Sequence, residues 1–510
     1  MRNNLLKQMS ILLLAISFIY SQSGCSKFLD RKPLGLGTTG DVAQGGVEDK
    51  VFGLYSGIGR WGMTQLPFIT AHGSRADDAL ISTPGDGDAS YIDQFQYTKD
   101  YWLMEGLWDD HLGFISEASG VIFDADSVNT KEPNPLNVVN KAEAKFLRAY
   151  AYFDMVRDYG GVPKIDFKVY DVQQANKPRA TAAEIYALIE ADLQEAVQVL
   201  PVSWPSKYAG RVTKGAANAF LAKVNLYQKK WAASLANAEA VINSGVYGLL
   251  PNFADVFTEK QENGIESIFE VQNYVNEDGS IGGFGSAGNW SSGYQGIRGS
   301  GQWDCGWGWN IPSQGLVDTA FETGDPRKGQ TILFSGQPDD YLIGDGKFGA
   351  TLPVSIWPHF NKKVYTDPAR RSATGDKTGS WLDMLLMRYS DVLLMAAEAA
   401  NESGNSAKAL GYLEQVRVRA RKGSTTVLPE ITSTNQAIIR KAIKQERRVE
   451  FALEFERFYD LVRWTPATTD NIDAPKVLGP LGYTLKNALL PIPQGAIDKS
   501  QQVLTQNPGY

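Results

Sequence analysis

Residues that could perform acid–base or nucleophilic chemistry are few in this sequence and lie far apart. It contains three histidines, His72, His111 and His359, and no His-Glu-x-x-His, Gly-x-Ser-x-Gly or phosphate-loop motif. Zinc hydrolysis and triad catalysis need such residues at defined spacings, so the sequence supports neither. The stretch 283–288 matches a dinucleotide fingerprint, but no amphipathic helix follows it, so its glycines more simply form turns. We therefore expect no cofactor and no catalytic residue.

Three pairs of adjacent acids keep a glycoside hydrolase open as an alternative. They are Asp77-Asp78, Asp109-Asp110 and Asp339-Asp340. Such an enzyme needs two carboxyl groups a few ångström apart, whereas adjacent carboxylates in a chain usually point apart. Sustained release of reducing sugar from mixed glycans would favour this alternative.

A spacing of oxygen ligands vaguely like that of a calcium loop occurs once. The residues concerned are Asp86, Asp88, Ser90 and Asp93. Tyr91 stands where the sharp turn of such a loop needs Gly, so a surface turn is the simpler interpretation and no metal site is expected.

Aromatic residues are a stronger signal than the titratable ones. Residues 276–310 are rich in Gly and Ser, lack helical periodicity, and contain Trp290, Tyr294, Trp303, Trp307 and Trp309. Irregular segments held by a rigid scaffold commonly carry binding sites. The alternative is that these rings are buried in a core.

A sugar ring presents an apolar face and a rim of hydroxyl groups, so its binder needs flat aromatic platforms and fixed polar groups. We expect Trp290, Tyr294 and Trp303 to form the platform. Asn289, Arg298 and Asp304 are the candidate rim contacts in the same segment. A second wall is expected from Arg75, Asp77, Asp78 and Trp102.

Helices that could position these residues occur on both sides of the segment. Apolar residues recur at helical spacing in 141–159, which Gly160-Gly161 and Pro163 end, and after a Thr181–Glu184 capping box. Ala-rich stretches at 214–229 and 231–243 predict an antiparallel pair, and 391–402 with 407–421 predicts another. Residues 436–463 predict a long, charged helix whose alternating signs indicate ion pairing and not catalysis.

The N-terminus has the features of an export signal. Arg2 and Lys7 precede an uncharged apolar stretch, and Ser23-Gly24 lie directly before Cys25, as in lipoprotein signals. We expect residues 1–24 to be removed and Cys25 to carry lipid. Cys305 is then the remaining cysteine, so no intrachain disulfide is expected and a buried free thiol is the simplest interpretation.

A nucleic-acid partner is not expected. The chain of 510 residues has a formal net charge of −7, and no concentrated surplus of Lys and Arg is visible.

Short motifs in a fixed order give the chain a resemblance to the SusD/RagB family, the surface-exposed glycan-capture lipoproteins of Bacteroidetes. The motifs are CSKFLD at 25–30, AKFLRAYAYF at 144–153, YGGVP at 159–163, ESIFE at 266–270, RY at 388–389, AEA at 397–399, ERRVEF at 446–451, RFYDLVRW at 457–464, PIP at 491–493 and QNPGY at 506–510. The resemblance runs from end to end.

The resemblance implies a mostly α fold in which tetratricopeptide-like helix pairs support an irregular, loop-rich ligand-binding half. The scaffold is expected mainly at 141–245 and 388–464, and the irregular half mainly at 40–135 and 275–385. It also implies that Trp307 and Trp309 belong to the core, because 307–312 resembles a structural stretch of the family.

For function, the resemblance implies non-catalytic capture of a glycan at the outer membrane, to which a lipid anchors the protein. Delivery to a SusC-like TonB-dependent transporter is implied as well. Capture of peptides by the same lid mechanism remains the nearest alternative.

Overall fold

The structure, a computed structural model, describes residues 46–81, 90–273, 290–299, 303–304, 306–336, 342–343, 346–347, 352, 357–366, 381–467 and 470–510. Helices dominate the described chain, which confirms the mostly α fold.

The helices of the N-terminal half are α1 Val47–Ile58, α2 Trp61–Thr64, α3 Leu66–His72, α4 Trp102–Lys131, α5 Pro135–Tyr159, α6 Val172–Ala175, α7 Ala182–Val199, α8 Lys214–Tyr227 and α9 Trp231–Ile242. Those of the C-terminal half are α10 Trp290–Gln295, α11 Arg327–Thr331, α12 Tyr389–Glu402, α13 Ser406–Arg421, α14 Gln436–Glu450, α15 Arg457–Arg463, α16 Ala474–Leu478 and α17 Gln494–Lys499.

The strands are short and form antiparallel pairs. They are β1 Ala79–Leu80, β2 Ser267–Val271, β3 Ile311–Pro312, β4 Ile332–Phe334, β5 Leu342–Ile343, β6 Gly346–Lys347, β7 His359–Asn361 and β8 Met384–Arg388. The pairs are β1 with β3, β2 with β8, β4 with β7, and β5 with β6.

The long helices pack in chain order, each against its predecessor. Helix α4 packs on α5, α5 on α7, α7 on α8, and α8 on α9; α9 then contacts α12, which packs on α13 and α14. The chain between α9 and α12 is therefore inserted into an otherwise continuous stack of antiparallel helices. This arrangement confirms the tetratricopeptide-like helix pairs.

Local signals in the sequence explain where several helices begin and end. The Thr181 hydroxyl accepts a hydrogen bond from the Glu184 N–H while the Glu184 carboxylate accepts one from the Thr181 N–H, so the predicted capping box starts α7. Gly160 ends α5 with a φ of 72°, a conformation that suits glycine. In the predicted pair α8–α9, the Ser234 hydroxyl donates to the Ala222 carbonyl at 2.8 Å, which small residues permit.

The prediction of one helix over 436–463 is wrong. Helix α14 ends at Glu450, and α15 begins at Arg457. Between them Leu453 and Phe455 have φ values of 66° and 68°, in the left-handed region that interrupts a helix. The turn directs the Glu454 carboxylate to Arg388 at 2.8 Å.

The prediction that 40–135 is mainly irregular is also wrong for its described part. Helix α4 occupies 30 residues of it, and α1, α2 and α3 precede α4. Buried residues recur along α4 at helical spacing, among them Leu103, Leu107 and Phe114. This apolar stripe was visible in the sequence and was the signal for the helix.

Charged residues of α14 and α15 form ion pairs with other segments, which confirms their predicted scaffold role. Glu450 accepts from Arg327 at 3.0 Å, from Arg388 at 2.5 Å, and from Arg419. Arg447 donates to Asp391 at 2.7 Å and to Asp460 at 2.8 Å, in a second buried set of charges. These ion pairs connect the inserted chain to α12, α13 and α14.

None of the helices in the described ranges combines enough length with enough apolar character to cross a bilayer.

Candidate functional site

An exposed aromatic surface begins on the first turns of α4. Trp102, Gly106 and Asp110 are four residues apart and therefore lie on one face of that helix. Gly106 has no side chain, and the Trp61 ring occupies the vacant space: a Cβ atom on Gly106 would lie 2.2 Å from it. The Asp110 carboxylate accepts a hydrogen bond from the Gly62 N–H at 2.6 Å. The position of Trp61 is thus fixed by its packing on Gly106 and by the hydrogen bond from its neighbour Gly62 to Asp110.

Trp61 and Trp102 form a stacked pair. Their ring centroids are 5.7 Å apart and their planes differ by 21°. Trp102 is 50% exposed, and Trp61 is partly exposed. An exposed, stacked pair of indoles offers a flat apolar face with a polar N–H edge, which suits a partly hydrated ligand.

Helix α10 continues this surface from the inserted chain. Trp290 and Tyr294 lie one turn apart on it, with ring centroids separated by 6.1 Å, and Trp290 is partly exposed. Burial raises the pKa of the Tyr294 hydroxyl to about 12, and the neighbouring Trp61 side chain lowers it in part. Trp61 therefore lies close to Tyr294, so the Trp61–Trp102 pair and the rings of α10 are neighbours although they are far apart in sequence.

Residues 307–309 lie alongside α10 through backbone hydrogen bonds. The Trp307 N–H donates to the Gly293 carbonyl at 3.1 Å, and the Trp309 N–H donates to the Tyr294 carbonyl at 2.9 Å. Trp309 is buried, as predicted, but Trp307 is 38% exposed, so its predicted place in the core is wrong. We call the exposed or partly exposed rings Trp61, Trp102, Trp290 and Trp307 the ring surface.

Comparison with known proteins shows the family of the chain. The model described as the SusD family matches residues 243–510, which is more than half of the chain. The chain belongs to the SusD family. A second model, described as starch-binding and associating with the outer membrane, matches residues 89–226.

Individual relatives cover nearly the whole chain. SusD-like protein P2 of Formosa agariphila is 29% identical over 515 residues, which cover 96% of this chain and 97% of the relative. The solved structure of a laminarin binding SusD-like protein has a TM-score of 0.72 and 27% identity, covering 91% of this chain and 99% of the other. Surface glycan-binding protein A from Bacteroides thetaiotaomicron, solved in complex with laminarihexaose, has a TM-score of 0.73 and 23% identity, covering 90% and 98%. The last likeness is one of fold.

Two rings predicted as platform are buried in this SusD-family protein. Tyr294 packs between Trp290 and Trp309, and Trp303 is 4% exposed and stacks on Tyr365 in a small core with Phe360. Their assignment as ligand platforms is wrong because no ring face is open to solvent. For these two rings the alternative of a buried core holds, whereas Trp290 remains a candidate.

The charged residues of the predicted second wall have structural partners. Arg75 is fully buried and donates to Asp158 at 2.6 Å. Asp77 accepts from Arg457 at 2.7 Å, and the buried Asp78 accepts from Arg448 at 2.8 Å. The prediction of ligand contacts is therefore wrong for Arg75 and Asp78, which solvent does not reach. Asp77, which lines a groove of about 320 Å³, stays a prediction.

The two aspartates differ in the direction of their pKa shifts. Burial and then the negative charge of Asp77 raise the pKa of Asp78. Burial also raises the pKa of Asp77, but Arg457 and Arg448 outweigh it and hold that pKa below its usual value. Of the pair, Asp77 therefore keeps its negative charge to the lower pH.

The second acid pair, Asp109 and Asp110, points in two directions. Asp109 accepts from Lys499 at 3.0 Å on α17, whereas Asp110 is bonded to the Gly62 N–H. The expectation that adjacent carboxylates point apart therefore holds here. The third pair, Asp339-Asp340, lies outside the described residues.

The structure gives the positions of some other predicted residues, but their predicted roles in ligand or metal binding remain predictions. Arg298 and Asp304 are half-buried and follow α10, so their rim assignment stays a prediction. In the calcium-like stretch, the Asp93 carboxylate accepts from the Ile81 N–H at 2.8 Å, and within the described ranges no group of three acids, histidines or cysteines is placed to hold a metal ion. Asn289, Cys305, Asp86, Asp88, Cys25 and the signal 1–24 lie outside the described residues.

Sequence reasoning missed Trp61. The residue stands beside Gly62, 41 positions before Trp102, and no periodicity links the two. A weak signal existed in Gly106, a glycine inside a long helix, which commonly marks a close approach by another group.

Proposed function

We propose that this SusD-family protein captures a glycan without catalysing a reaction, and that the ring surface contacts the sugar. The carrying observation is the Trp61–Trp102 stack, in which Trp102 is 50% exposed, beside Tyr294 and the partly exposed Trp290. Trp307 adds a further exposed indole beside the same helix.

The geometry suits carbohydrate more than a small drug-like ligand. Sugar C–H faces pack on indole planes, and the hydroxyl rim requires hydrogen-bonding groups and water around the rings. Shallow, hydrated platforms give modest affinity for each sugar unit, which permits release to a second protein. The 27% identical relative described as laminarin binding supports the choice of a glycan.

Absence of catalysis is proposed from the placement of the candidate acids. Asp77 and Asp78 both pair with Arg448 and Arg457, and Asp78 is buried, while Asp109 and Asp110 bond to different segments. A glycoside hydrolase would need both carboxyl groups of one pair to be open to the same sugar bond.

Location and partner follow from family membership. We propose that lipid on Cys25 holds the protein to the outer membrane, and that a SusC-like TonB-dependent transporter receives the glycan. The match to a family described as associating with the outer membrane supports the location.

The test replaces Trp102 and Trp290 by Ala together and measures laminarin affinity by calorimetry. We expect at least a tenfold loss, because two stacking faces disappear. Tyr170→Ala is the matched control, since Tyr170 is the most exposed aromatic ring in the described chain (69%) and lies outside the ring surface.

Unchanged affinity in a folded Trp102→Ala/Trp290→Ala protein would remove the ring surface from the binding site. Sustained release of reducing sugar by the unmodified protein would instead overturn the non-catalytic assignment. Binding confined to a peptide pool would favour the peptide alternative.

A further inference from the structure

Charges around the exposed Trp61–Trp102 pair are unequal in sign. The described acids on the surrounding segments are Asp100, Glu105, Asp109, Asp110, Glu117 and Asp498, and the described bases are Arg60, Lys99 and Lys499. Two ion pairs cancel within this set: Arg60 with Glu117 at 2.7 Å, and Lys99 with Asp100 at 3.5 Å. The remainder is acidic.

Three of the acids in excess lie on the same turns of α4 as Trp102. Glu105 and Asp109 share the single cation Lys499, at 2.9 and 3.0 Å. The Asp110 carboxylate bonds to the N–H of the residue after Trp61. Trp102 and these three acids all lie within the first nine residues of α4, so adjacent turns of one helix carry the Trp102 ring and the three carboxylates.

The described residues on the other side of the ring surface do not reverse this balance. Helix α10 carries no charged residue, and the residues that follow it, Arg298 and Asp304, are one of each sign. A ligand on the ring surface therefore meets a negative potential from α4, which ordinary salt screens over roughly 10 Å.

From this asymmetry we propose that the ring surface selects uncharged glycans and discriminates against glycans bearing carboxylates or sulfates. The proposal rests on the proposed function, because it concerns what the same rings accept. Like charges at an interface suppress the wrong partner while adding little to the affinity of the right one. Glu105 and Asp109 are then specificity-determining residues that do not stack on sugar.

The experiment compares laminarin with laminarin whose C6 hydroxymethyl groups have been oxidised to carboxylates. Both probes have the same backbone, and at the oxidised positions a carboxylate replaces a hydroxymethyl group, so the salt dependence of the difference in affinity isolates the effect of charge. We expect the oxidised form to bind at least tenfold more weakly at about 20 mM salt, and the gap to narrow to a few-fold at about 500 mM salt. Equal or tighter binding of the oxidised form at low salt would overturn the proposal.

A charge variant identifies the residues responsible. The double variant Glu105→Gln/Asp109→Asn should raise the affinity for oxidised laminarin more than that for laminarin. The ratio of the laminarin affinity to the oxidised-laminarin affinity should therefore fall several-fold at low salt. Glu414→Gln is the matched control, because it neutralises an acid paired with Arg421 on α13. A ratio that moves equally in both variants would contradict the assignment to Glu105 and Asp109.

The same assays separate this inference from the proposed function. If laminarin does not bind, neutral starch, xyloglucan and galactomannan are compared with anionic alginate, pectate and carrageenan. Binding of an anionic glycan alone, lost on Trp102→Ala/Trp290→Ala, overturns charge selection and leaves glycan capture standing. Binding of no glycan overturns both.

Discussion

The ring surface and the charge network around Glu450 are two regions that use side chains in opposite ways. Glu450 is fully buried and accepts from three guanidinium groups, so every member of that network already has its partner inside the protein. Trp102, in contrast, is half open to solvent although it stacks on Trp61. The first region has no face left for a ligand, and the second has one.

This difference shows why a crowd of charged residues was a poor guide to the binding site. Buried ions must be paired, because their desolvation is costly, and the pairing consumes their capacity for other contacts. An indole can stay half-exposed at a smaller cost in free energy, and one of its faces then remains available to a ligand.

The largest effect on stability is expected from Glu450→Gln. It removes one carboxylate that Arg327, Arg388 and Arg419 share, and although each arginine keeps another acidic partner, loss of one partner from a buried ion pair costs about 3–5 kcal/mol. The midpoint of urea denaturation measures the loss. Lys408→Gln, which breaks an exposed pair with Glu239, should cost under about 1 kcal/mol; similar losses in both variants would contradict the distinction.

Two tryptophans of α4 make the comparison within one helix. Trp108 is buried and packs edge-on against Tyr159 at 4.9 Å, so Trp108→Ala should cost about 3–5 kcal/mol. Trp102→Ala should cost about 1 kcal/mol, because only the stack on Trp61 is lost. Urea denaturation measures the free energy of unfolding of both variants, and laminarin affinity is the second readout. A large loss of stability in Trp102→Ala would place that ring in the core.

Gly106→Ala tests how the helix positions the ring surface. The new methyl group would lie 2.2 Å from the Trp61 ring, so we expect a loss of about 1–3 kcal/mol and weaker laminarin binding. Gly120→Ala in the same helix meets nothing within 4 Å and should stabilise the protein by about 0.5–1 kcal/mol. Unchanged laminarin affinity in Gly106→Ala would show that laminarin binding does not require the Trp61 ring to pack against residue 106.

A smaller effect concerns acids near β2 and β8. Burial raises the pKa of Glu270 to about 7, and burial with neighbouring Glu262 and Glu270 raises that of Asp383 to about 9. Between pH 5 and 7 the folded state therefore holds protons that the unfolded state has released. The free energy of unfolding should fall as pH rises, by on the order of 1 kcal/mol per pH unit.

Asp383→Asn should flatten this pH dependence, because an amide does not ionise while its oxygen can still accept from the Asn273 N–H. Urea midpoints at pH 5, 6 and 7 give the slope. An unaltered slope in the variant would assign the effect to other groups. Ser291, Ser292 and Gln295 of α10 line the same small cavity as Asp383, so laminarin affinity should be recorded alongside.

Helices with strong local signals were predictable from the sequence. The capping box at Thr181 and the glycine stop at Gly160 act within a few residues, so α7 and the end of α5 could be placed before any tertiary contact was known. The break between α14 and α15 was not predictable, because buried contacts of the turn with Arg388 and Lys363 favour it over helix propensity.

The sequence by itself determined the helical scaffold, the family motifs and the presence of an aromatic-rich segment, because periodicity, caps and composition are local properties of the chain. Only the tertiary structure decided which rings stay exposed and which charged side chains form ion pairs inside the protein. Asp77 meets Arg457 across 380 positions, and Trp61 lies close to Tyr294 of the inserted chain. Contacts at such separation depend on how the packed helices bring distant segments together, and no spacing in the sequence encodes them.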